Sequence, residues 1–168
     1  ILARLATRTG TRQIVILPDG VSSSLHLPGG IVLLNSSLVE DHQDPAVAAG
    51  AVLVERARAE ANDPLEDVLK AGGMLSSFRL LTTGKLDRNS LDQYAETMVS
   101  APRPEVPEEK ILSIFARAAI PTTPYAYSQD ITGEKVLGLI EADPMAGRIL
   151  EPVLSDRDWV QLQNICGS

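Results

Sequence analysis

Residues 12–34 read RQIVILPDGVSSSLHLPGGIVLL, and this stretch carries the strand signal of the chain. Arg12 to Leu17 is a β-branched run closed by the turn sequence Pro18-Asp19-Gly20. Ser22 to Leu27 and Ile31 to Leu34 flank Pro28-Gly29-Gly30 as two further strands, so a small sheet of about three strands is expected at the front. Upstream, Ile1, Leu2, Leu5 and Ala6 repeat at helical spacing and Gly10 follows as a stop, which places a short helix before the first strand.

Beyond residue 35 the punctuation becomes helical. Asp-Pro occurs at Asp44-Pro45, Asp63-Pro64 and Asp143-Pro144, where the carboxylate can accept from a free first-turn N–H and proline has no N–H to waste. Helices are expected to start near 45, 64 and 144, and also after Asp87, after Pro107 and at Ser155, whose Asp158 lies three residues on. Two segments break the pattern. Ala101 to Pro107 (APRPEVP) reads as a connection between helices, and residues 120–132 (IPTTPYAYSQDIT) read as irregular. Leu91, Tyr94, Ala95 and Met98 form one apolar stripe, and Ile111, Leu112, Phe115, Ala118 and Ala119 another; both read as core.

These elements predict a mostly helical α+β fold, with the small N-terminal sheet packed on a helical bundle. At 168 residues, 44% of them hydrophobic, the chain is expected to form a single domain over 1–168, with residues 1–35 holding the first helix and the sheet. No apolar run approaches the ~20 residues of a membrane-spanning helix. Fifteen basic against twenty-two acidic residues give a net charge of −7 with no basic run, which excludes nucleic acid as the expected partner. One cysteine, Cys166, and two histidines, His26 and His42, leave no internal disulfide, no multi-cysteine zinc site and no three-histidine metal site. The chain starts at Ile1 and reads as a fragment or a processed product.

The segments Ser23-Ser24-Leu25-His26-Leu27-Pro28-Gly29-Gly30, the strand Ile31 to Leu34, Ser37-Leu38, an acidic loop and the helix Val47 to Arg58 (VAAGAVLVERAR) follow one another in order. This order resembles the zinc metallopeptidase family of the CAAX prenyl endopeptidases, the HtpX-type membrane peptidases and the periplasmic chaperone-proteases. There the pattern is N-A-F-x-x-P-G-G, a strand, G-L-L, an acidic loop and E-L-A-A-V-L-A-H-E-x-x-H. The resemblance covers roughly residues 1–140 and implies a zincin-like core, with a sheet edge lining a peptide cleft above the helix. Glu55 then stands at the general base, while Val54 and Arg58 stand where the two zinc-binding histidines belong. H-E-x-x-H works by placing two imidazoles one helical turn apart on a metal that acidifies water, and valine and arginine supply neither ligand. Leu80 to Leu91 (LLTTGKLDRNSL) resembles the family's A-G-Y-D-P segment, but the glutamate ligand has no match in register, Glu66 and Asp67 being the nearest carboxylates. Thr123, in Pro121-Thr122-Thr123-Pro124, replaces the histidine of S-T-H-P. The resemblance therefore implies a zinc site that has been lost, no metal and no other cofactor.

The residues have simpler readings beside this one. Glu55 and Arg58 at i,i+3 read first as an exposed surface pair; buried together, the guanidinium would stand in the metal's electrostatic place and keep Glu55 ionised. His26 reads first as an outward strand residue, with a cleft-facing position as the alternative. Tyr125 and Tyr127, two apart in an extended segment, would project to the same side and cover the core, or else touch a peptide. Trp159 is expected to anchor the last helix.

Two functions remain open. The first is a catalytically inactive, peptidase-like module that binds a peptide or protein, such as an active peptidase, along the sheet edge, through His26, Pro28, Gly29, Val54, Arg58, Thr123 and Tyr125 around the relic position Glu55. The second is a hydrolase with a rearranged site built from Glu55, His26 and Glu66. The family implies an extracytoplasmic home.

Overall fold

The computed structural model describes residues 1–61, Glu96 and residues 103–166. The expected helices at 64 and after Asp87, and the stripe from Leu91 to Met98, lie outside the described residues.

Helix α1 (Leu2–Thr9) buries Leu5, Ala6 and Thr9, and ends at Gly10 in the left-handed conformation (φ 67°). There the Thr11 amide donates to Ala6 O and the Gly10 amide to Thr7 O, satisfying carbonyls of the last turn. Strands β1 (Gln13–Leu17), β2 (Ser24–Leu27) and β3 (Ile31–Asn35) form one sheet in the order β1-β3-β2. β1 runs parallel to β3, Gln13 opposite Ile31, while β2 runs antiparallel, with Ser24 opposite Leu34 and His26 opposite Val32. Pro28-Gly29-Gly30 closes the β2–β3 hairpin, with Gly29 and Gly30 at φ 84° and 75°, a left-handed pair that side chains other than glycine's would strain.

Because side chains alternate along a strand, Ser24 and His26 share a face with their partners Leu34 and Val32, and that face is buried. Helix α2 (Ser37–Glu40) leads to α3 (Ala46–Ala61), which lies against β2 and β3. Asp44 caps α3 as its Asp-Pro pair predicts, Oδ1 accepting from the Ala46 amide at 2.8 Å. All of Ala46 to Glu55 is buried, so α3 is a central helix rather than an amphipathic surface one. Its small residues let neighbours come close. At Gly50 a Cβ would lie 2.7 Å from Tyr125 Cβ and 2.8 Å from Phe115 Cζ.

Those rings belong to α4 (Glu108–Ala118), which begins after Pro107 as expected, and to α5 (Thr123–Gln129). They pack with centroids 5.5 Å apart. Helix α6 (Leu137–Glu141) follows, and α7 (Asp156–Cys166) starts with the Asp158 amide on Ser155 Oγ at 3.2 Å. Trp159 anchors α7: its ring is buried and Nε1 donates to His42 O at 3.2 Å. Seven helices and one three-stranded sheet among the described residues make this a mostly helical α+β fold. No described helix is long and apolar enough to cross a membrane.

Two expectations are corrected. Residues 120–132 are not irregular, because α5 occupies Thr123–Gln129. No helix starts at Pro144, where the chain makes a single turn and leaves it at Gly147 (φ 70°). Asp143 Oδ2 accepts from the Thr123 amide at 3.0 Å and from Thr123 Oγ1 at 2.6 Å, so this carboxylate caps α5 from 20 residues away, while Oδ1 holds the Met145 amide at 2.9 Å.

Candidate functional site

Glu55 lies at the tenth position of α3, directly beneath β2, and is 1% exposed. A lone carboxylate so buried would take up a proton, yet this one is surrounded by donors. Ser24 Oγ donates to Oε1 at 2.7 Å, Arg58 Nη1 reaches the same oxygen at 2.6 Å and Arg103 Nη1 at 3.1 Å. The other oxygen, Oε2, holds His26 Nδ1 at 3.1 Å. Burial pushes the Glu55 pKa up, but the hydrogen bond from His26, the charge of Arg58, the hydrogen bond from Ser24 and the charge of Arg103 together outweigh it and leave the carboxyl below its ordinary range. Glu55 is therefore ionised at neutral pH. A carboxylate only accepts, so Nδ1 of His26 carries the proton of their shared bond.

The guanidinium groups tie the cluster to its surroundings. Arg58 Nε donates to Pro104 O at 3.2 Å, and Arg103 Nη2 donates to Ser24 O on the edge strand. His26 Nε2 is buried and has no hydrogen-bond partner among the described residues.

The simpler readings of two residues are thus overturned. Glu55 and Arg58 are not an exposed pair, because the Glu55 side chain is 1% exposed and that of Arg58 19%. His26 does not face solvent, because it shares the inward face of β2 with Ser24. Other predicted positions scatter. Pro28 and Gly29 form the hairpin tip, Gly29 exposed. Val54 is packed in the core. Thr123 is engaged by Asp143. Tyr125, on a helix and not an extended segment, is buried while Tyr127 is exposed, so the two do not share a side. Burial pushes the Tyr125 phenol up to about 12, and the charges of Arg58, Glu55 and Arg103 all act on it, which places the ring beside the cluster. Glu66 lies outside the described residues.

The reading of the sequence left out Ser24 and Arg103. Ser24 had a signal, since it stands two residues before His26 on a strand and so on the same face. Arg103 had none: it lies 48 positions from Glu55, inside the proline-rich connection.

A zinc ion does not fit these residues. Val54 has no donor atom, the Arg58 guanidinium brings a positive charge to within 2.6 Å of Glu55, and Thr123 is committed elsewhere. No group of three or more metal-ligating side chains occurs among the described residues.

No family model matches the chain. A malpinin synthetase from Mortierella alpina is 30% identical over 123 residues, which cover 68% of this chain and 2% of that protein. The chain thus spans a small fraction of the curated relative it matches.

Proposed function

We propose that this is a catalytically inactive, peptidase-like protein that works by binding an extended peptide or a partner protein along β2. The observation that carries the reading is the saturation of Glu55. A general base needs a lone pair within reach of a water, and here the carboxylate is 1% exposed, with Ser24, Arg58 and Arg103 on Oε1 and His26 on Oε2. The sheet edge supports binding. Ser23 O pairs with the Asn35 amide, so by antiparallel alternation the backbone groups of Ser24 and His26 point away from β3. Arg103 already uses the Ser24 carbonyl in that way, and among the described residues no strand pairs there. An extended peptide would take the remaining groups by β-augmentation, in place of the contacts that bury Ser24, Leu25 and His26.

A hydrolase centred on His26 is the competing reading, favoured by one feature: an imidazole held through Nδ1 by a carboxylate, with Nε2 unpartnered, is the arrangement of an oriented base. Incubation with fluorescently labelled, unfolded casein fragments separates the two. Saturable anisotropy with the fragments intact by mass spectrometry, and slowed hydrogen exchange at the His26 amide, is the expected result. Cleavage that disappears in His26→Ala would establish the hydrolase, and neither binding nor cleavage would remove both readings.

A further inference from the structure

A second feature lies on another side of α3, apart from the Glu55 cluster. Between the C-terminal ends of α1 and α4 and the last turns of α3 is a cavity of about 270 Å³ lined by Arg8, Arg56, Arg117 and a single carboxylate, Glu60, in a chain whose net charge is −7. The groups that would repel an anion there are already engaged. Arg56 Nη1 donates to Thr9 O in the last turn of α1, and Arg8 Nη2 donates to Ala119 O at the end of α4, at 3.3 Å. Glu60 is taken by Lys110 at 3.0 Å, and that hydrogen bond leads the causes that hold its carboxyl below the usual range.

Donors remain in excess. Each guanidinium has five N–H groups, of which Arg8 and Arg56 spend one each on those carbonyls, while Arg56 Nη2 also lies 3.8 Å from Glu60 Oε1 as an ion pair. Arg117 makes no hydrogen bond among the described residues and acts on Glu60 only through space. The fit of Arg56 is local: a Cβ on Gly10 would lie 2.7 Å from its Nη1 and 3.4 Å from its Cζ, so the guanidinium approaches, Nη1 first, a left-handed position (φ 67°) that favours glycine.

The geometry points to a binding site for the phosphate group of a small molecule, held by Arg8, Arg56 and Arg117 between α1, α3 and α4. Three guanidiniums against one neutralised carboxylate suit a dianion, and their planar forks match phosphate oxygens two at a time. The cavity volume, about 270 Å³, lies just below the roughly 300–1,000 Å³ of drug-sized ligand pockets, which suits free phosphate, pyrophosphate or a short phosphate monoester.

Calorimetric titration of the whole chain with inorganic phosphate, pyrophosphate, glycerol phosphate and acetate tests this. Saturable binding is expected for the phosphate-bearing probes, pyrophosphate tightest and acetate weakest, with the Gly10 and Ala118 amide signals shifting in a nuclear magnetic resonance titration. Arg117 is exposed, so Arg117→Ala keeps the fold; it should weaken phosphate by about tenfold, as loss of a charged hydrogen-bond donor does. Arg157→Ala on α7 removes the same charge elsewhere and should change affinity less than about twofold. Tighter binding of glycerol phosphate than of inorganic phosphate would identify an ester as the ligand, and the reverse order the free anion. No saturation by any phosphate probe, acetate binding as tightly as phosphate, or equal losses in the two variants would overturn the site.

Discussion

The Arg103 guanidinium holds Glu55 Oε1 with one nitrogen, at 3.1 Å, and the carbonyl of Ser24 with the other. A residue of the proline-rich connection is thereby tied to the central helix and to the edge strand at once. Arg58 adds a second cation on the same oxygen and a bond to Pro104 O, so the connection and α3 are stitched at two points. The Glu55 carboxylate is the hub of an ion cluster that ties α3 to β2 and to residues 103 and 104.

Glu55→Gln should therefore destabilise the fold. Removing one partner of a buried ion pair costs about 3–5 kcal/mol, and the 19% and 31% exposure of the Arg58 and Arg103 side chains lowers the expectation to about 2–4 kcal/mol. Urea unfolding with an unchanged m-value measures it, and a loss under about 0.5 kcal/mol would show that the cluster contributes nothing.

The same group gives a pH dependence. The folded pKa of Glu55 lies below its ordinary 4.5, so on acidification the unfolded chain takes up the proton first. Its contribution is complete above that value and is lost as pH falls through the folded pKa. The stability gap between wild type and Glu55→Gln should be constant near neutrality and narrow below 4.5. A gap that widened on acidification would contradict the assignment.

Gly50→Ala tests the packing of α3 on α4 and α5. Alanine gains about 1 kcal/mol of helix propensity, but its methyl would meet Tyr125 Cβ and Cγ at 2.7 Å and Phe115 Cζ at 2.8 Å, and these ring positions are fixed by the core. Overpacking of about 1–3 kcal/mol should win, leaving a lower thermal midpoint. A midpoint at or above that of wild type would mean the helices are not in such close contact.

Asp143→Ala removes the acceptor of two Thr123 bonds and of the Met145 amide. A loss of about 1–2 kcal/mol is expected from the cap of α5, measured by urea unfolding. Pro144→Ala should change little, because no helix starts there.

The sheet was legible because its signals are local: β-branched runs bounded by Pro-Asp-Gly and Pro-Gly-Gly. The start of α3 was legible for the same reason, since Asp44 caps the helix that follows it. Asp143-Pro144 carries the same dipeptide and the same local bond, Oδ1 accepting from the Met145 amide, yet the chain leaves that turn at Gly147, while Oδ2 serves Thr123 twenty residues upstream, a contact set by tertiary packing. The burial of Glu55 was hidden likewise. An i,i+3 Glu–Arg pair looks the same on a surface helix and a central one, and only the alanine-rich run before it hinted at cover on all sides. Ser24 was missed although strand alternation places it on the face of His26, whereas the contact from Arg103 joins residues 48 positions apart and has no local signal.

The central claim is that Glu55 is held by Ser24, His26, Arg58 and Arg103 in place of serving a metal site. Elemental mass spectrometry of wild type and Glu55→Gln, purified without chelator or a metal-affinity tag, tests it most directly. The account predicts far less than stoichiometric zinc in both proteins. Zinc near one equivalent per chain in the wild type, lost in the variant, would contradict it.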